Sequence, residues 1–463
     1  MKLLDKIFHF HGGIHTEGHK ELAAGRPLEE IPRPKILTIS MSQHLGAPAT
    51  PCVKPGDHVL KYQKIADASG FISSPVHTPH AGVVKSIISS ATASTRVAPA
   101  VVIELDSDDG AEDAAMTPIP DWKNAPIPEL LNRIREAGVV GAGGAGFPTC
   151  VKLSPPKDKV IDTVIVNGAE CEPYLNGDNR LMIQMAKELW EGISIVRHIL
   201  GAKRVIFAVE DNKPVAIESL RKALADTDAE LAVLPHSYPQ GSEKHIIYST
   251  TGRVVQMGKL PADVGCVVEN VWTILTIWSS IVKGIPVVIR TVTVTGDVVA
   301  KPSNFAVPIG ATVAELVAAA GGFTRPPVKA ICGGPMMGFA MPSLDVPITK
   351  TCSGLVFLSE DEVCEFESNA CINCGRCIEA CPMGLMPREI SLAVEADDIA
   401  EAEVCHVMNC FECGSCAFVC PAHRPLVQHN RRAKAVIVAR QKAAQAAAEA
   451  ERAKAESKEA SSK

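Results

Sequence analysis

The sequence of 463 residues predicts a multidomain α/β and α+β protein. Three observations carry that expectation. Short β-rich runs (KILTIS, HVLKYQ, GVVKSI, AVVIEL) alternate with Gly/Pro turns between residues 34 and 105, the pattern of a small all-β domain. From residue 127 onward, strand-like apolar runs alternate with amphipathic helical ones, as in a layered domain with a mostly parallel sheet. Between residues 360 and 425 one cysteine spacing occurs twice.

Taken in order, residues 1–32 are rich in His, Gly and charge and read as a leader. Residues 33–105 form the β domain, and the acidic, then Pro-rich stretch 106–127 reads as a linker. Residues 128–288 make the α/β domain. It opens on an amphipathic helix over 128–137, a glycine loop and a buried strand over 160–166. Helical periodicity follows over 179–200, then a strand at 204–209, a helix at 214–226 and a strand at 229–235. Residues 289–345 return to short strands around one helix (TVAELVAAA), a separate small α+β module. Residues 360–428 hold the cysteine repeat. The Ala/Lys/Glu-rich tail 429–463, with nine Lys or Arg against four Glu after Asn430, reads as a solvated helix or disordered segment.

Composition excludes several classes. A formal charge of −6 gives no case for nucleic acid. No stretch approaches the roughly 18 uninterrupted apolar residues of a membrane span, and residues 271–282 fall short of it. The N-terminus lacks a small-residue cleavage site, so the expectation is an intracellular protein with at most peripheral membrane contact. Sixteen cysteines in so long a chain without an export signal point to metal ahead of disulfides.

The two groups are Cys371, Cys374, Cys377, Cys381 and Cys410, Cys413, Cys416, Cys420, each C-x2-C-x2-C-x3-C followed by Pro. This is the spacing of [4Fe–4S] ligands in bacterial-type ferredoxins. Three thiolates on one tight loop wrap three irons of a cube. The fourth cysteine starts a segment that points away, so it serves the neighbouring cluster. That logic assigns Cys371, Cys374, Cys377 and Cys420 to one cluster, and Cys410, Cys413, Cys416 and Cys381 to the other. Two four-cysteine zinc sites are the competing reading, but zinc sites use CxxC pairs without the fourfold run and its proline. Cys364, Cys405 and the six scattered cysteines read as ordinary thiols.

The loop Gly141-Ala-Gly143-Gly144-Ala-Gly146-Phe147, with Lys152 beyond it, follows a helix and so is not a Rossmann fingerprint. Glycine density there still implies close backbone approach to a ligand, with main-chain amides and Lys152 offered to a phosphate. The strand after it ends in Asn167-Gly-Ala-Glu170-Cys-Glu172-Pro173, and open α/β sheets bind ligands beyond the carboxyl ends of their strands.

These segments resemble the FMN- and NADH-binding region of the flavoprotein subunit of respiratory complex I. Tyr238-Pro-Gln-Gly241-Ser242-Glu243 is similar to that family's second flavin loop, and Val268-Glu269-Asn270-Val271-Trp272-Thr273 to its third. Together with the two ferredoxin motifs and the opening GGIH, the chain resembles the RnfC family over nearly its whole length. Members of that family serve the Rnf ion-translocating NADH:ferredoxin oxidoreductase. The resemblance implies that Gly141, Gly143, Gly144, Gly146, Lys152, Asn167, Glu170, Tyr238, Gly241, Ser242, Glu243, Asn270 and Thr273 surround FMN. It implies that Glu172 and Phe147 meet the nicotinamide nucleotide. Ala169, Ser242 and Trp272 depart from the complex I pattern, where Asp, Glu and Glu stand. Residues 289–345 would then be an SLBB-like, β-grasp module.

Residues 53–59 and 74–87 resemble the barrel-sandwich of biotinyl and lipoyl carriers, but the hairpin tip carries Gly70-Phe71 in place of the modified lysine. A docking or structural role is expected. His9, His11, His15 and His19 lack a metal-site companion and are not read as ligands. The implied activity takes NADH electrons through FMN and two [4Fe–4S] clusters to or from a ferredoxin-like partner, either ferredoxin or flavodoxin. Other Rnf subunits would hold the chain to the cytoplasmic face of the inner membrane. A cobalamin reductase built from the same modules, or a non-catalytic relay scaffold, are the alternatives. Domain order separates the first, and reduction of bound flavin by NADH the second.

Overall fold

Apolar, β-branched runs that alternate with helices are stable as a parallel sheet covered on both faces. The computed structural model of the chain, which describes residues 1–93, 97–364 and 366–461, contains such a sheet. Its strand order is Lys2–Leu3, Glu230–Leu234, Arg204–Glu210, Thr163–Gly168 and Cys266–Asn270, every neighbour parallel. Register sets Asn167 beside Asn270 at one end of the sheet. The helices Gly177–Gln184, Ala186–Leu200, Pro214–Ala223, Glu243–Thr251 and Val271–Trp278 complete the layers.

Two expectations need correcting here. The helical stretch 179–200 is two helices, broken at Met185, whose backbone leaves the helical region (φ −127°, ψ 33°). The first long strand begins at Thr163, not at residue 160, and Val160 is 80% exposed.

A second, six-stranded sheet runs Phe339–Ala340, Lys329–Cys332, Gly354–Leu358, Ile289–Thr295, Ser303–Pro308, Leu28–Glu30. Its helix Val313–Ala319 starts on a capping box in which Thr312 and Glu315 satisfy each other's backbone N–H. The sheet of this module also takes in a strand beyond residue 345. Gly354–Leu358 is buried at every position and sits between two earlier strands, parallel to Ile289–Thr295. Residues 1–32, expected as a leader, contribute to the sheets. Lys2–Leu3 and Leu28–Glu30 add edge strands to two different sheets, and Ala23 is fully buried. Edge strands need only backbone partners on one side, so a short polar sequence suffices.

The β domain is a sandwich. Ile36–Ser40, Val97–Leu105, Gly82–Ala91 and His58–Val59 form one sheet, and Thr50–Pro51, Lys64–Asp67 and Val76–His77 the other. Leu37, Ile39, Val59, Ile65, Val76, Val101 and Ile103 fill it, and Phe71 at the hairpin tip is 77% exposed.

The chain divides into two compact units, Met1–His9 with His15–Cys364, and Phe10–Ile14 with the chain from Glu365 onward. The second is helical, with a core of Ile390, Ala393, Val394, Ile399, Ala402, Val407, Ala433 and Ile437. The tail therefore does not begin at residue 429 as a solvated segment. The helix Leu426–Ser461 starts earlier and buries Asn430, Ala433 and Ile437 before its surface becomes exposed over residues 441–449. Among the described residues no helix is long and apolar enough to cross a membrane.

Candidate functional site

The carboxyl ends of parallel strands gather unpaired backbone groups and helix N-termini at one rim. The helix Ile127–Glu136 leads into the glycine loop there, and the short helix Thr149–Lys152 follows it. The loop is a closed turn, since Gly141 N donates to Phe147 O at 2.9 Å and Thr149 N to Val139 O at 3.1 Å. Ala142 N donates to the buried Thr273 hydroxyl at 2.9 Å, and the Arg290 guanidinium donates to Ala142 O at 3.2 Å. Gly143 lies against Asn270, where an added Cβ would approach that side chain to 3.3 Å. Gly143 and Gly144 are exposed, leaving their main chain open to a ligand. Gly146 has φ +70° and is pressed between Thr351 and His44, so its glycine is required by packing. At the loop's base the buried Lys350 donates to Pro75 O (2.8 Å) and Gly138 O (2.7 Å), and burial pushes its pKa down to about 7.

Lys152 reaches the rim from the following helix. Its ammonium donates to Glu243 at 2.8 Å and to Val268 O, with Glu269 at 3.8 Å. Burial would lower its pKa, but Glu269 and Glu243 outweigh that and hold it above the ordinary lysine value. Glu269 is 2% exposed, and burial pushes its carboxyl up to about 7 against the pull of Lys152. One ammonium thus serves two carboxylates. Glu243 is half-exposed and bonds the ammonium directly, whereas Glu269 is buried and lies farther from it.

The two asparagines tie the rim together. Asn167 donates to Gly241 O at 2.8 Å and accepts from Ala169 N, joining the first strand end to the loop at 238–243. A Cβ on Gly241 would lie 2.2 Å from Ala169 O, so only glycine permits that approach. Asn270 accepts from Trp272 N as the cap of its helix and donates to Asp178 at 2.6 Å. Ser242 occupies the N-cap position of the helix Glu243–Thr251, and Tyr238 is buried beneath the same loop.

Glu170 accepts from the amides of Asp178 (3.1 Å) and Asn179 (3.3 Å) at the start of the helix Gly177–Gln184. Glu172 points elsewhere. It accepts from Met336 N (3.1 Å) and Met337 N (2.9 Å) in the loop between the strands Lys329–Cys332 and Phe339–Ala340. Burial pushes it up to about 7, with those two amides pulling the other way.

The rim brings together Lys152, Asn167, Gly241, Glu243, Asn270 and Thr273, while Gly146 serves packing and Glu172 turns to the loop of Met336 and Met337. Three groups there, Asp178, Arg290 and Lys20, were not legible in the sequence. Asp178 is pushed up to about 7 by burial and by Glu170, with Arg290 opposing. Arg290 is 3% exposed and lies 4.6 Å from the Trp272 ring. Its Nη1 and the Glu269 Oε1 are buried without a hydrogen-bond partner. Buried orphans of opposite kind in one rim suit a ligand that both donates and accepts, as an isoalloxazine edge does. Lys20, from the expected leader, is the third. An arginine interrupting VVIRTVTV was the one available signal; the others carried none.

In the second unit the two cysteine loops share a backbone. Asn373 and Gly375 have φ of 57° and 80°, and Glu412 and Gly414 have 64° and 84°. These left-handed pairs turn amides inward, so that Asn373 N lies 3.4 Å from Cys371 Sγ and Glu412 N 3.3 Å from Cys410 Sγ. Leu385 N and Asn430 Nδ2 donate to Cys381 Sγ (3.3 Å) and Cys410 Sγ (3.2 Å). Cys371, Cys374, Cys377 and Cys420 line one cavity, and Cys381, Cys410, Cys413 and Cys416 line a second. Among the described residues no three His, Cys, Asp or Glu side chains converge on a single metal ion. The thiols ring voids instead, as the corners of an iron–sulfide cube require.

Four family matches follow one another along the chain. They are the RnfC barrel sandwich hybrid domain over residues 8–108, the Nuo51 FMN-binding domain over 134–279, the SLBB domain over 291–340 and the 4Fe-4S dicluster domain over 370–423. The relatives are C subunits of ion-translocating oxidoreductase complexes. The chain is 42% identical to that of the proton-translocating ferredoxin:NAD(+) oxidoreductase complex of Clostridium ljungdahlii, over 85% of its own length and 86% of that protein. It is 40% identical to that of the Na(+)-translocating ferredoxin:NAD(+) oxidoreductase complex of Acetobacterium woodii, covering 94% and 98%. It is 39% identical to that of the ion-translocating oxidoreductase complex of Rhodobacter capsulatus, covering 94% and 84%.

Proposed function

Because the chain belongs to the RnfC family of the ion-translocating ferredoxin:NAD(+) oxidoreductase (Rnf) complexes, we propose that its glycine-loop rim is where NADH and FMN meet and that its two thiol rings carry the electrons onward. FMN and two [4Fe–4S] clusters are the cofactors of this electron-transfer protein. Held there, the flavin would supply conversion between the paired electrons of a nicotinamide and the single electrons that clusters held by the two thiol rings would carry.

The chain's own residues hold and tune. Exposed amides of Gly143 and Gly144 are the anion-binding face of the loop. Lys152 would set a positive charge beside the flavin position, and Glu243 fixes where that charge sits. Glu269 Oε1 is the buried acceptor for an N–H donor of the ligand. Glu172 fastens the loop at 333–338 beside the nucleotide position. In the second unit, amide donors to Cys371, Cys381 and Cys410 stabilise the thiolates and raise the cluster potentials. The ligand sets are Cys371, Cys374, Cys377, Cys420 and Cys381, Cys410, Cys413, Cys416. Partner subunits and a ferredoxin or flavodoxin complete the path, with this chain peripheral on the cytoplasmic side of the membrane.

The observation that carries the reading is the cluster of charged groups, buried Glu269 and Arg290 with half-buried Lys152 and Asp178, gathered at one sheet end beside an open glycine loop. Anaerobic reconstitution with iron, sulfide and FMN, followed by NADH, tests it. The expected result is bleaching of the flavin band and then reduced-cluster paramagnetic signals. A relay scaffold would leave the flavin oxidised, and activity confined to cob(III)alamin would favour the cobalamin reductase alternative.

A further inference from the structure

The turn at 169–176 joins the strand Thr163–Gly168 to the helix Gly177–Gln184. It belongs to neither strand nor helix, so its carbonyls lack regular partners. Tyr174 adopts φ +69° within it. Three of the carbonyls, from Glu170, Glu172 and Leu175, converge on one point, and without a cation they would repel one another.

That point is the Lys20 ammonium. Its Nζ donates to Glu170 O at 2.7 Å, Glu172 O at 2.8 Å and Leu175 O at 2.7 Å, which uses all three of its protons. Two neighbours add to the grip. Gly18 O accepts from Tyr174 N at 2.7 Å, and the His19 ring stacks on Tyr174 with centroids 4.6 Å apart and planes 15° from parallel. Residues 18–20 thus contact the turn through four hydrogen bonds and a ring stack.

We propose that Lys20 is a positioning residue of the flavin–nucleotide rim, and that residues 18–20 belong to that site although they lie about 150 positions earlier in the chain. The ammonium sets the backbone from Glu170 to Leu175. That backbone aims Glu170 at the start of the helix Gly177–Gln184 and Glu172 at the loop carrying Met336 and Met337. The inference rests on the reading that this rim binds FMN, but its structural half does not.

The test uses the full reconstituted chain with Lys20→Met and Lys20→Arg. Backbone hydrogen exchange is followed by mass spectrometry, FMN affinity by fluorescence, NADH kinetics as KM and kcat separately, and iron content as a control. With Lys20→Met, exchange in peptides covering 169–176 is expected to accelerate at least tenfold. FMN affinity should weaken at least tenfold, with KM for NADH rising more than kcat falls. Exchange in the sandwich sheets and the iron content should stay unchanged. Should Lys20→Met fail to fold, Lys20→Arg decides. A planar guanidinium keeps the charge but cannot aim three donors at three converging carbonyls, so the same local loosening is expected in milder form. The inference is overturned if exchange at 169–176 stays within twofold of the parent protein. It is also overturned if protection is lost equally throughout the parallel sheet, which would mark a general structural lysine. If the parent protein binds no FMN, the flavin reading fails by itself, and the exchange data still decide whether Lys20 sets the turn.

Discussion

Enclosing Glu269 at 2% exposure beside a shared ammonium creates a proton linkage that can be measured. Burial lifts its folded pKa to about 7 from an ordinary 4.5. Between those values the folded state holds a proton that the unfolded chain has released. The contribution of this group to stability is therefore highest below pH 4.5 and falls as pH rises to about 7. At roughly 1.36 kcal/mol per pKa unit the whole swing is at most about 3.5 kcal/mol. Glu269→Gln removes the titration while keeping the shape. The unfolding free energy of the parent minus that of the variant should decline from pH 5 to 7 and be level above it, as read by denaturant titration at several pH values. A difference that ignores pH would mean that Lys152 keeps the carboxylate ionised throughout. The same residue shows what one-dimensional reading misses. Glu269 stood within a quoted flavin-loop motif, but its role depends on being buried opposite Lys152, far away along the chain. Lys20 is the stronger case, since neither its type nor its neighbours carry a motif.

Elements were legible where their signal is periodic or spaced by covalent geometry. The cysteine runs are the clearest instance, because a tight loop around a cube allows few spacings. Strands such as Thr163–Gly168 and Arg204–Glu210 declared themselves by continuous β-branched runs. Short edge strands did not, because Lys2–Leu3 and Leu28–Glu30 contribute backbone hydrogen bonds more than apolar faces. The C-terminal helix failed for another reason. Its Ala/Lys/Glu composition looks uniform, yet one stripe of its first turns fills the core beside Pro387–Glu395 and Ile399–Val404. Ile437, at 2% exposure, should cost about 2–5 kcal/mol when cut to Ala. Deleting the chain after residue 440 should leave thermal stability and iron content unchanged. Loss of iron on that deletion would assign the exposed portion a structural role that its surface does not suggest.

At the scale of the whole chain, each compact unit has its own core and its own cofactor chemistry, so lesions in one should spare the other. The domain series was legible because each module type carries its own pattern. The crossing of ligands between the two cysteine runs is the feature that most needs a direct test. Cys381 lies in the first run by sequence but lines the cavity of Cys410, Cys413 and Cys416, while Cys420 joins Cys371, Cys374 and Cys377. If ligation follows sequence, Cys381→Ser and Cys371→Ser damage one and the same cluster, and the double variant loses no more iron than either single. If it follows the cavities, each single variant loses about four of roughly eight irons. The double variant then loses nearly all of them, and the two singles leave different paramagnetic signals on reduction. The crossed result is expected, with FMN affinity unaltered in every case. Fourfold ligation shared between runs would also explain why the two loops repeat one backbone, including left-handed Asn373 and Glu412, since each would present three sulfurs to one void and send a fourth to its neighbour.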